Sequence, residues 1–454
     1  MNAIRMLVGL TLVGSGLAGQ SSPRQRLAAQ IDSMAAAALA SWPAVGLSVA
    51  VLRGGDTIVA KGYGRADLEN DLPATAQTVY RIGSITKQFT AAAVMQLVEQ
   101  GKIALDDTIQ RFLPAYHTQG HRVTIRQLLT HTSGIKSYTS LGPEWTSRMR
   151  LDLAPDSLVA LFQDKPFDFE PGTRFLYDNS GFYLLGMLIE RVSGESYAGY
   201  LQQHLFGPLG LSATRYCDER PLIPHRARGY ERDSGRFVNS SPLSMTQPFA
   251  AGALCSTVGD LVRWARSLAA HRPVSAASYT AMTTPATLTD GSHTTYGFGL
   301  VVGDLGGHRK VGHGGGINGF LSEIDDYPAD SLTVAVLANS ESARPGRLAD
   351  DIARAVLGIV QPVVKDLPPS TEEIARVAGT YALGPLQIRV FESGGKLMAQ
   401  ATGQQPFGLR WQGDSSFVAA FDDNVKIVFR IGGPRATAFV LYQGGLAQTA
   451  TRVE

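Results

Sequence analysis

The sequence predicts an α/β (α+β) domain with an antiparallel or mixed sheet, followed by a small C-terminal antiparallel β-barrel. Strand-like runs lie at both ends of residues 24–360, with a mainly helical block between them. That order favours one sheet made from both ends, with helices packed around it. After residue 370 the pattern changes to short β-rich runs separated by glycine-containing turns. A chain of 454 residues is also too long for one ordinary core.

The first twenty residues differ from the rest and predict a signal peptide, residues 1–20. Arg5 supplies a small positive region, apolar and small residues follow from Met6 to Ala18, and Ser21 comes after a plausible cleavage point. The alternative is a membrane anchor, but about 13 apolar residues are too few to cross a bilayer comfortably. No later segment is apolar enough to cross one. We therefore expect an exported protein, periplasmic or secreted, with no membrane span in its mature form.

The predicted first domain covers residues 24–360. Arg24–Ala40 is rich in alanine and lacks Gly and Pro, which predicts a helix, and Val45–Leu52 with Thr57–Tyr63 predicts a hairpin. Ser84–Gln100 has no helix breaker and is apolar on most of its surface, which is typical of a helix buried inside a domain. Further strands are predicted at Tyr296–Val302, Phe320–Asp326 and Leu332–Ala338, and a further helix at Arg347–Leu357.

The second predicted domain follows a linker. Residues 361–370 contain three prolines and show no periodicity, which predicts the linker. Residues 371–454 then carry seven or eight short β-rich runs, a pattern that predicts a small barrel. The clearest runs are Leu386–Phe391, Phe417–Phe421, Val425–Ile431 and Ala438–Tyr442.

Composition and motifs exclude several classes of function. The 41 basic and 39 acidic residues leave a net charge of +2 without a dense basic run, so we expect no nucleic-acid partner. There is no phosphate loop, dinucleotide fingerprint or Gly-x-Ser-x-Gly motif.

His117 and His121 have a spacing that can bind zinc, but they flank a predicted loop without a third ligand nearby. We expect neither a metal nor an organic cofactor. Cys217 and Cys255 could form one disulfide or be unrelated small side chains, and the sequence leaves both open.

The strongest chemical feature is Ser84-Ile85-Thr86-Lys87 at the start of the predicted buried helix. Residues three apart share a helical face, so the Lys87 amine can lie one turn from the Ser84 hydroxyl. A serine needs a neighbouring base to attack at neutral pH, and burial can lower a lysine pKa enough for it to serve. Alone the pattern is weak, because a serine N-cap followed by a solvated lysine has the same letters.

Two later motifs strengthen the case. Tyr177-Asp178-Asn179 lies on a predicted loop, where a phenol could pass a proton to a leaving group and an amide could orient the lysine. His313-Gly314-Gly315-Gly316 lies between strand signals, where glycines let the backbone approach a ligand and expose N–H groups. One of these N–H groups could pair with that of Ser84 in an oxyanion hole.

The order Ser-x-x-Lys, Tyr-x-Asn, His-x-Gly resembles the serine β-lactamase and penicillin-binding protein superfamily. Class C β-lactamases, D-amino-acid-releasing peptidases and related esterases are most similar in wider context. The resemblance spans residues 25–358 and is carried by Tyr80–Lys87, Leu128–Ile135 and Phe175–Gly181. It implies a β-lactamase/transpeptidase-like domain with an antiparallel sheet, a helical lobe and a site between them.

The resemblance also implies a role for each motif residue. Ser84 would be the acylated nucleophile, Lys87 its base and Tyr177 the proton shuttle. Asn179 would contact substrate and lysine, and His313 would open the third motif on the inner strand. Gly315 and Gly316 would line the substrate and oxyanion site. His131, within Leu128–Ile135, is expected to support its loop rather than to react.

The third motif departs from the Lys-Thr-Gly that is usual in β-lactamases and binds a substrate carboxylate. An imidazole replaces the ammonium, and a charge-assisted hydrogen bond of about 1.5–3 kcal/mol is lost. We therefore predict hydrolysis of esters or amides by a carboxylesterase or peptidase-like enzyme, with weak or no β-lactamase activity. The alternatives are a D-amino-acid-specific peptidase or carboxypeptidase, a class C-type β-lactamase, and a non-catalytic penicillin- or muropeptide-binding sensor. The substrate is expected to be a small molecule or peptide.

The C-terminal part resembles the lipocalin-like barrel appended to some peptidases of this superfamily, through residues 379–381 and 397–404. In relatives such a barrel can shape substrate access or self-association, and the sequence leaves open which applies. It leaves the oligomeric state open as well.

Overall fold

A computed structural model describes residues 22–360, 363–384, 386–402, 404–443 and 446–454. The predicted signal peptide and the start of the predicted linker, residues 361–362, lie outside these ranges. The predicted fold class is confirmed, because an α/β domain with an antiparallel sheet and a helical block is followed by a closed antiparallel barrel.

Strands and helices are interspersed along the first domain. Its strands are β1 (Gly46–Arg53), β2 (Asp56–Asp67), β3 (Leu72–Pro73), β4 (Tyr80–Arg81), β5 (Arg215–Tyr216), β6 (Tyr230–Asp233), β7 (Arg236–Asn239), β8 (Leu254–Ser256), β9 (Val301–Leu305), β10 (His308–Ile317), β11 (Phe320–Tyr327) and β12 (Leu332–Ala338). Its helices are α1 (Pro23–Ser41), α2 (Thr86–Glu99), α3 (Ile125–Leu129), α4 (Pro143–Thr146), α5 (Pro155–Val159), α6 (Asn179–Ser193), α7 (Tyr197–Leu201), α8 (Gly207–Leu209), α9 (Phe249–Gly252), α10 (Val258–Ala269), α11 (Ala276–Met282) and α12 (Pro345–Leu357). Of the helices in the described ranges, none is long and apolar enough to cross a membrane.

The large sheet has the strand order β3-β2-β1-β12-β11-β10-β9. Strand β1 pairs antiparallel with β12, with Leu47 opposite Ala338, so both ends of the domain build one sheet as predicted. Successive side chains of a strand face opposite sides. Val49 and Val51 therefore pack with α1 and α12, whereas Ala50 belongs to the core that contains α2 and α6.

Helix α2 runs through the domain core, and all of residues 86–95 are buried. Phe89 stacks on Trp264 of α10 with ring centroids 4.0 Å apart. A 3-10 turn, Gly83–Ile85, precedes the helix, which therefore begins two residues later than the sequence predicts. Ser84 lies in this turn because Gly83 has a φ of +50°, outside the helical region. The nucleophile candidate is thus presented by a turn at the helix entrance.

The strand predicted at Tyr296–Val302 is wrong over most of its length. Tyr296 makes only an isolated bridge to Val301, and β9 begins at Val301. The chain turns between these positions, because Gly299 adopts a φ of +65° and the Gly297 N–H donates to the Leu300 carbonyl. The turn takes Tyr296 out of the sheet and into the core, where it is fully buried.

The C-terminal unit is a closed barrel with one short helix before it. That helix, α13 (Thr371–Val377), was not predicted, whereas the prediction of seven or eight strands is confirmed by eight. Tyr381, Phe429 and Phe439 fill the barrel interior with their rings in contact. The strands are β13 (Gly379–Leu383), β14 (Leu386–Ser393), β15 (Lys396–Ala401), β16 (Phe407–Trp411), β17 (Ser416–Ala419), β18 (Asp422–Ile431), β19 (Ala436–Gln443) and β20 (Leu446–Arg452).

The barrel contacts the first domain through α12 and through the segment just before β9. Arg347 of α12 pairs with Asp423 of β18 at 3.4 Å. The Ala447 N–H of β20 donates to the Thr295 hydroxyl at 3.3 Å. These contacts hold one side of the barrel next to β9 and β10.

Candidate active site

Ser84 and Lys87 meet at the entrance of α2. The Lys87 Nζ lies 3.1 Å from the Ser84 Oγ, and 2.8 Å from both the Asn179 Oδ1 and the Ala251 carbonyl. Lys87 is 0% exposed, and this burial lowers its pKa well below the usual value, while the Asp178 carboxyl acts in the opposite direction. A neutral amine has two N–H donors and one lone pair. The two carbonyl oxygens can accept these two N–H groups, which leaves the lone pair facing the Ser84 hydroxyl, where it can accept the serine proton.

A glycine-rich stretch of β10 lies directly against the Ser84 turn. A Cβ added to Gly83 would come within 2.9 Å of the Gly316 nitrogen, and one added to Gly315 within 2.0 Å of the Ile82 carbonyl oxygen. The Ser322 hydroxyl of β11 donates to that same Ile82 carbonyl at 2.9 Å. Only glycine permits so close an approach. The structure thus brings the Gly315 and Gly316 backbone next to the turn that contains Ser84.

Tyr177 lies in the loop before α6, on the other side of the serine–lysine pair. The Lys87 Nζ is 4.8 Å from the centre of its ring. Burial raises the Tyr177 pKa above its usual value, and the neighbouring Ser84 hydroxyl acts in the opposite direction. Among the described residues, its hydroxyl has no hydrogen bond of acceptable geometry. The site therefore contains a protonated phenol whose hydroxyl neighbours that of Ser84.

Asp178 and Asn179 form the start of α6. The Asp178 carboxylate caps the helix by accepting the N–H groups of Ser180 at 2.7 Å and Gly181 at 3.0 Å. The Asn179 Nδ2 donates to the Thr139 hydroxyl at 3.1 Å, which turns its Oδ1 towards Lys87. Burial raises the Asp178 pKa to about 7, against the effect of the two N–H bonds. No role was predicted for Asp178, although an aspartate before a helix is a recognisable cap signal.

His313 is buried on β10 with both ring nitrogens engaged. The Tyr296 hydroxyl donates to its Nε2 at 2.8 Å, and its Nδ1–H donates to the Gly314 carbonyl at 2.5 Å. Burial, together with the nearby Lys87, lowers the His313 pKa to about 3, so the ring is neutral near pH 7. The third motif therefore presents no cation to a substrate. No sequence motif pointed to Tyr296, its partner.

A cavity of about 840 Å³ opens in front of Ser84. Tyr177, His313 and the 314–316 backbone line it from the first domain. The barrel supplies another part of the wall through Val425, Tyr442, Gln443 and Leu446. The volume suits a small molecule or a short peptide segment. The sequence did not predict that the barrel would contribute to this wall.

His121, Cys217 and Cys255, which the sequence also singles out, do not line the cavity. His121 is in a loop, as predicted, with its Nδ1 3.1 Å from the Glu170 carboxylate. Cys217 and Cys255 are free buried thiols in a small cluster next to β8, so the structure has the unlinked form of the two that the sequence left open.

The comparisons with known proteins agree with this geometry. A family model described as Beta-lactamase matches residues 31–358. A penicillin-binding protein of Bacillus subtilis (strain 168) is 28% identical over 433 residues, which cover 90% of this chain and 95% of that protein. A D-aminopeptidase of Brucella anthropi is 28% identical over 336 residues, 74% of this chain and 61% of the relative. The octameric penicillin-binding protein homologue from Pyrococcus abyssi is 29% identical with a TM-score of 0.68, over 93% of this chain and 99% of that one.

Proposed function

Because the chain belongs to the beta-lactamase family, we propose that it is a serine hydrolase that cleaves ester or amide bonds through an acyl-enzyme on Ser84. One observation carries the proposal. The buried Lys87 amine is 3.1 Å from the Ser84 hydroxyl and has a lowered pKa, which is what a lysine base requires. A solvated lysine would be protonated at neutral pH and could not take the serine proton.

In the proposed mechanism Lys87 takes the Ser84 proton as Oγ bonds to the substrate carbonyl carbon. The carbonyl oxygen becomes an oxyanion that the Ser84 and Gly316 N–H groups stabilise. Tyr177 gives its phenolic proton to the leaving group as the scissile bond breaks, and the Lys87 ammonium returns a proton to the phenol. Water then attacks the acyl-enzyme by the reverse sequence of proton transfers, which releases the acid and restores Ser84.

The proposed substrates are esters or amides that need no carboxylate anchor beside the scissile bond. Both His313 nitrogens bond to protein groups and the ring is neutral, so the third motif offers no charge to a carboxylate. This supports weak or no β-lactamase activity. The similarity to a D-aminopeptidase supports the second candidate, an amidase or peptidase that acts on a D-amino-acid residue. Carboxypeptidase or class C-type β-lactamase activity would need another carboxylate-binding group.

The proposal includes two features with separate support. Export is proposed from the sequence of residues 1–20 alone, and the N-terminal residue of the mature protein tests it.

The barrel is proposed to limit access to Ser84, because Tyr442, Gln443 and Leu446 line the same cavity as the nucleophile. Its likeness to lipocalins stays a prediction from the sequence.

An activity panel tests the proposed function. p-Nitrophenyl butyrate, D-alanine p-nitroanilide and nitrocefin are compared on the wild type, Ser84→Ala and the control Ser147→Ala, whose serine is exposed. We expect hydrolysis of the ester or anilide, a loss of at least about 1,000-fold in Ser84→Ala, and none in the control. Unchanged activity in Ser84→Ala would show that the nucleophile assignment is wrong. A stable adduct on Ser84 without turnover would instead identify a non-catalytic sensor.

A further inference from the structure

His131 is a buried histidine in a costly conformation, and the proposed chemistry does not use it. It is 1% exposed and has a φ of +57°, the left-handed region that a residue with a side chain rarely adopts. Its Nε2 is buried, with no hydrogen-bond partner among the described residues. Strain and unsatisfied polar atoms of this kind collect at functional sites. A residue needed only for packing could be aliphatic, which would leave no polar atom unsatisfied, or glycine, which would avoid the backbone strain.

Two hydrogen bonds of His131 go to one three-residue segment. Its main-chain carbonyl accepts the Leu176 N–H at 3.0 Å, and its Nδ1 accepts the Asp178 N–H at 3.0 Å. The residue between these two donors is Tyr177. The His131 and Tyr177 rings also pack together, with centroids 4.2 Å apart. One residue therefore holds the backbone on both sides of Tyr177 and contacts its ring.

Other contacts would not fix the phenol as firmly. Apart from the neighbouring Ser84 hydroxyl, no polar group of the described residues holds the Tyr177 hydroxyl, so the position of the phenol depends mainly on its backbone and on ring packing. Phe175, Tyr296 and His313 pack around the His131 and Tyr177 rings, but these ring contacts supply no hydrogen bond to the segment. The Nδ1 bond adds a directional restraint next to the Tyr177 backbone, which a leucine of similar size could not supply.

We propose that His131 is a positioning residue for Tyr177, which holds the phenol where it can protonate the leaving group. The inference rests on the proposed function, because it assigns His131 no action except through that phenol. A displacement of about 1 Å in such a group can cost about 100-fold in rate. The loss should therefore appear in kcat, with little change in KM.

Two substitutions separate positioning from packing. His131→Leu keeps the volume but removes the acceptor of the Asp178 N–H. His131→Asn keeps an oxygen acceptor and a residue that tolerates positive φ. With an ester that the wild type hydrolyses, we expect kcat to fall about 100-fold in the leucine variant and about tenfold or less in the asparagine variant. KM should stay within about threefold in both. His131→Gly is measured beside the leucine variant, because glycine keeps the left-handed backbone and the carbonyl without the strain that leucine adds at positive φ. It also replaces the leucine variant if that protein does not fold.

A double-mutant cycle with Tyr177→Phe completes the test. Once the phenol is gone, His131→Leu should change kcat by less than about threefold, because the two substitutions remove one function. A full additional loss in the Tyr177→Phe background would show that His131 acts on general stability, and an unchanged kcat in the single variant would equally contradict the proposal. Labelling of Ser84 by a fluorophosphonate probe counts competent sites. Absence of labelling and of Ser84-dependent turnover in the wild type would reject the proposed function itself.

Discussion

The Tyr296 hydroxyl donates to the His313 Nε2 across 2.8 Å, and His313 belongs to β10, which borders the cavity in front of Ser84. With Nδ1–H bound to the Gly314 carbonyl, the imidazole has no hydrogen-bonding nitrogen left for a substrate. His313 therefore fixes the backbone of β10 next to Gly315 and Gly316, and it does not replace the ammonium of the more familiar Lys-Thr-Gly motif. The proposed preference for substrates without a carboxylate anchor rests on this difference.

The first prediction concerns a carboxylate on the leaving group. D-alanyl-D-alanine and its C-terminal amide differ only in that charge, and we expect no preference for the free acid because no cation of the third motif faces it. The measurement is kcat/KM for each dipeptide, with D-alaninamide as the reference. A preference of about tenfold or more for the free acid would show that another group binds the carboxylate.

The second prediction concerns pH. Lys87 acts as a base only when neutral, so kcat/KM for an ester should rise with pH through the lysine pKa, which burial places well below its ordinary value of 10.5. Asp178 raises that pKa, so Asp178→Asn should move the rise to lower pH. Asparagine is also a good helix N-cap, so α6 should keep its start. The pH profiles of the two proteins provide the test, and a shift to higher pH would contradict the assignment of the rise to Lys87.

The third prediction concerns the glycine turn that carries Ser84. Gly83→Ala places a Cβ within 2.9 Å of the Gly316 backbone at a φ of +50°. Strain of about 1–2 kcal/mol is expected from the left-handed backbone, together with displacement of Ser84 or β10 and loss of hydrolysis. Gly54→Ala is the matched control, because its φ is +62° but no atom lies within 4 Å of the added Cβ. The control should lose similar stability in thermal unfolding and keep its activity. Equal activity in both variants would show that the close approach is not needed.

Some contacts of the site could be predicted from the sequence, and others could not. The contact between Ser84 and Lys87 was predictable because the two residues are three positions apart at a helix entrance, so their geometry is local. The Ala251 carbonyl that also accepts from Lys87 was not, because a backbone atom brought from α9 by tertiary packing leaves no pattern of residue types. Tyr296 was placed in a strand because the run is rich in β-formers, and the turn at Gly299 removed it.

The strands of the barrel were predictable from the sequence, but its position against the first domain was not. Its strands were predictable because each is a short run with its own turn. Its position was not, since it depends on surface pairs such as Arg347 with Asp423, which are far apart in the chain. Helix α13 was missed because it is a single short segment directly after the prolines of the linker.

The last prediction tests the barrel wall. Tyr442 lines the cavity that contains Ser84 and is 43% exposed, so Tyr442→Ala should enlarge the space beside the nucleophile without touching it. The ratio of kcat/KM for p-nitrophenyl octanoate to that for the acetate should then rise about tenfold, since a steric limit bears on the long chain alone. Val453→Ala is the control, because Val453 is an exposed residue of the same domain that does not line the cavity. An unchanged ratio in Tyr442→Ala would mean that both acyl chains leave Ser84 in a direction away from the barrel.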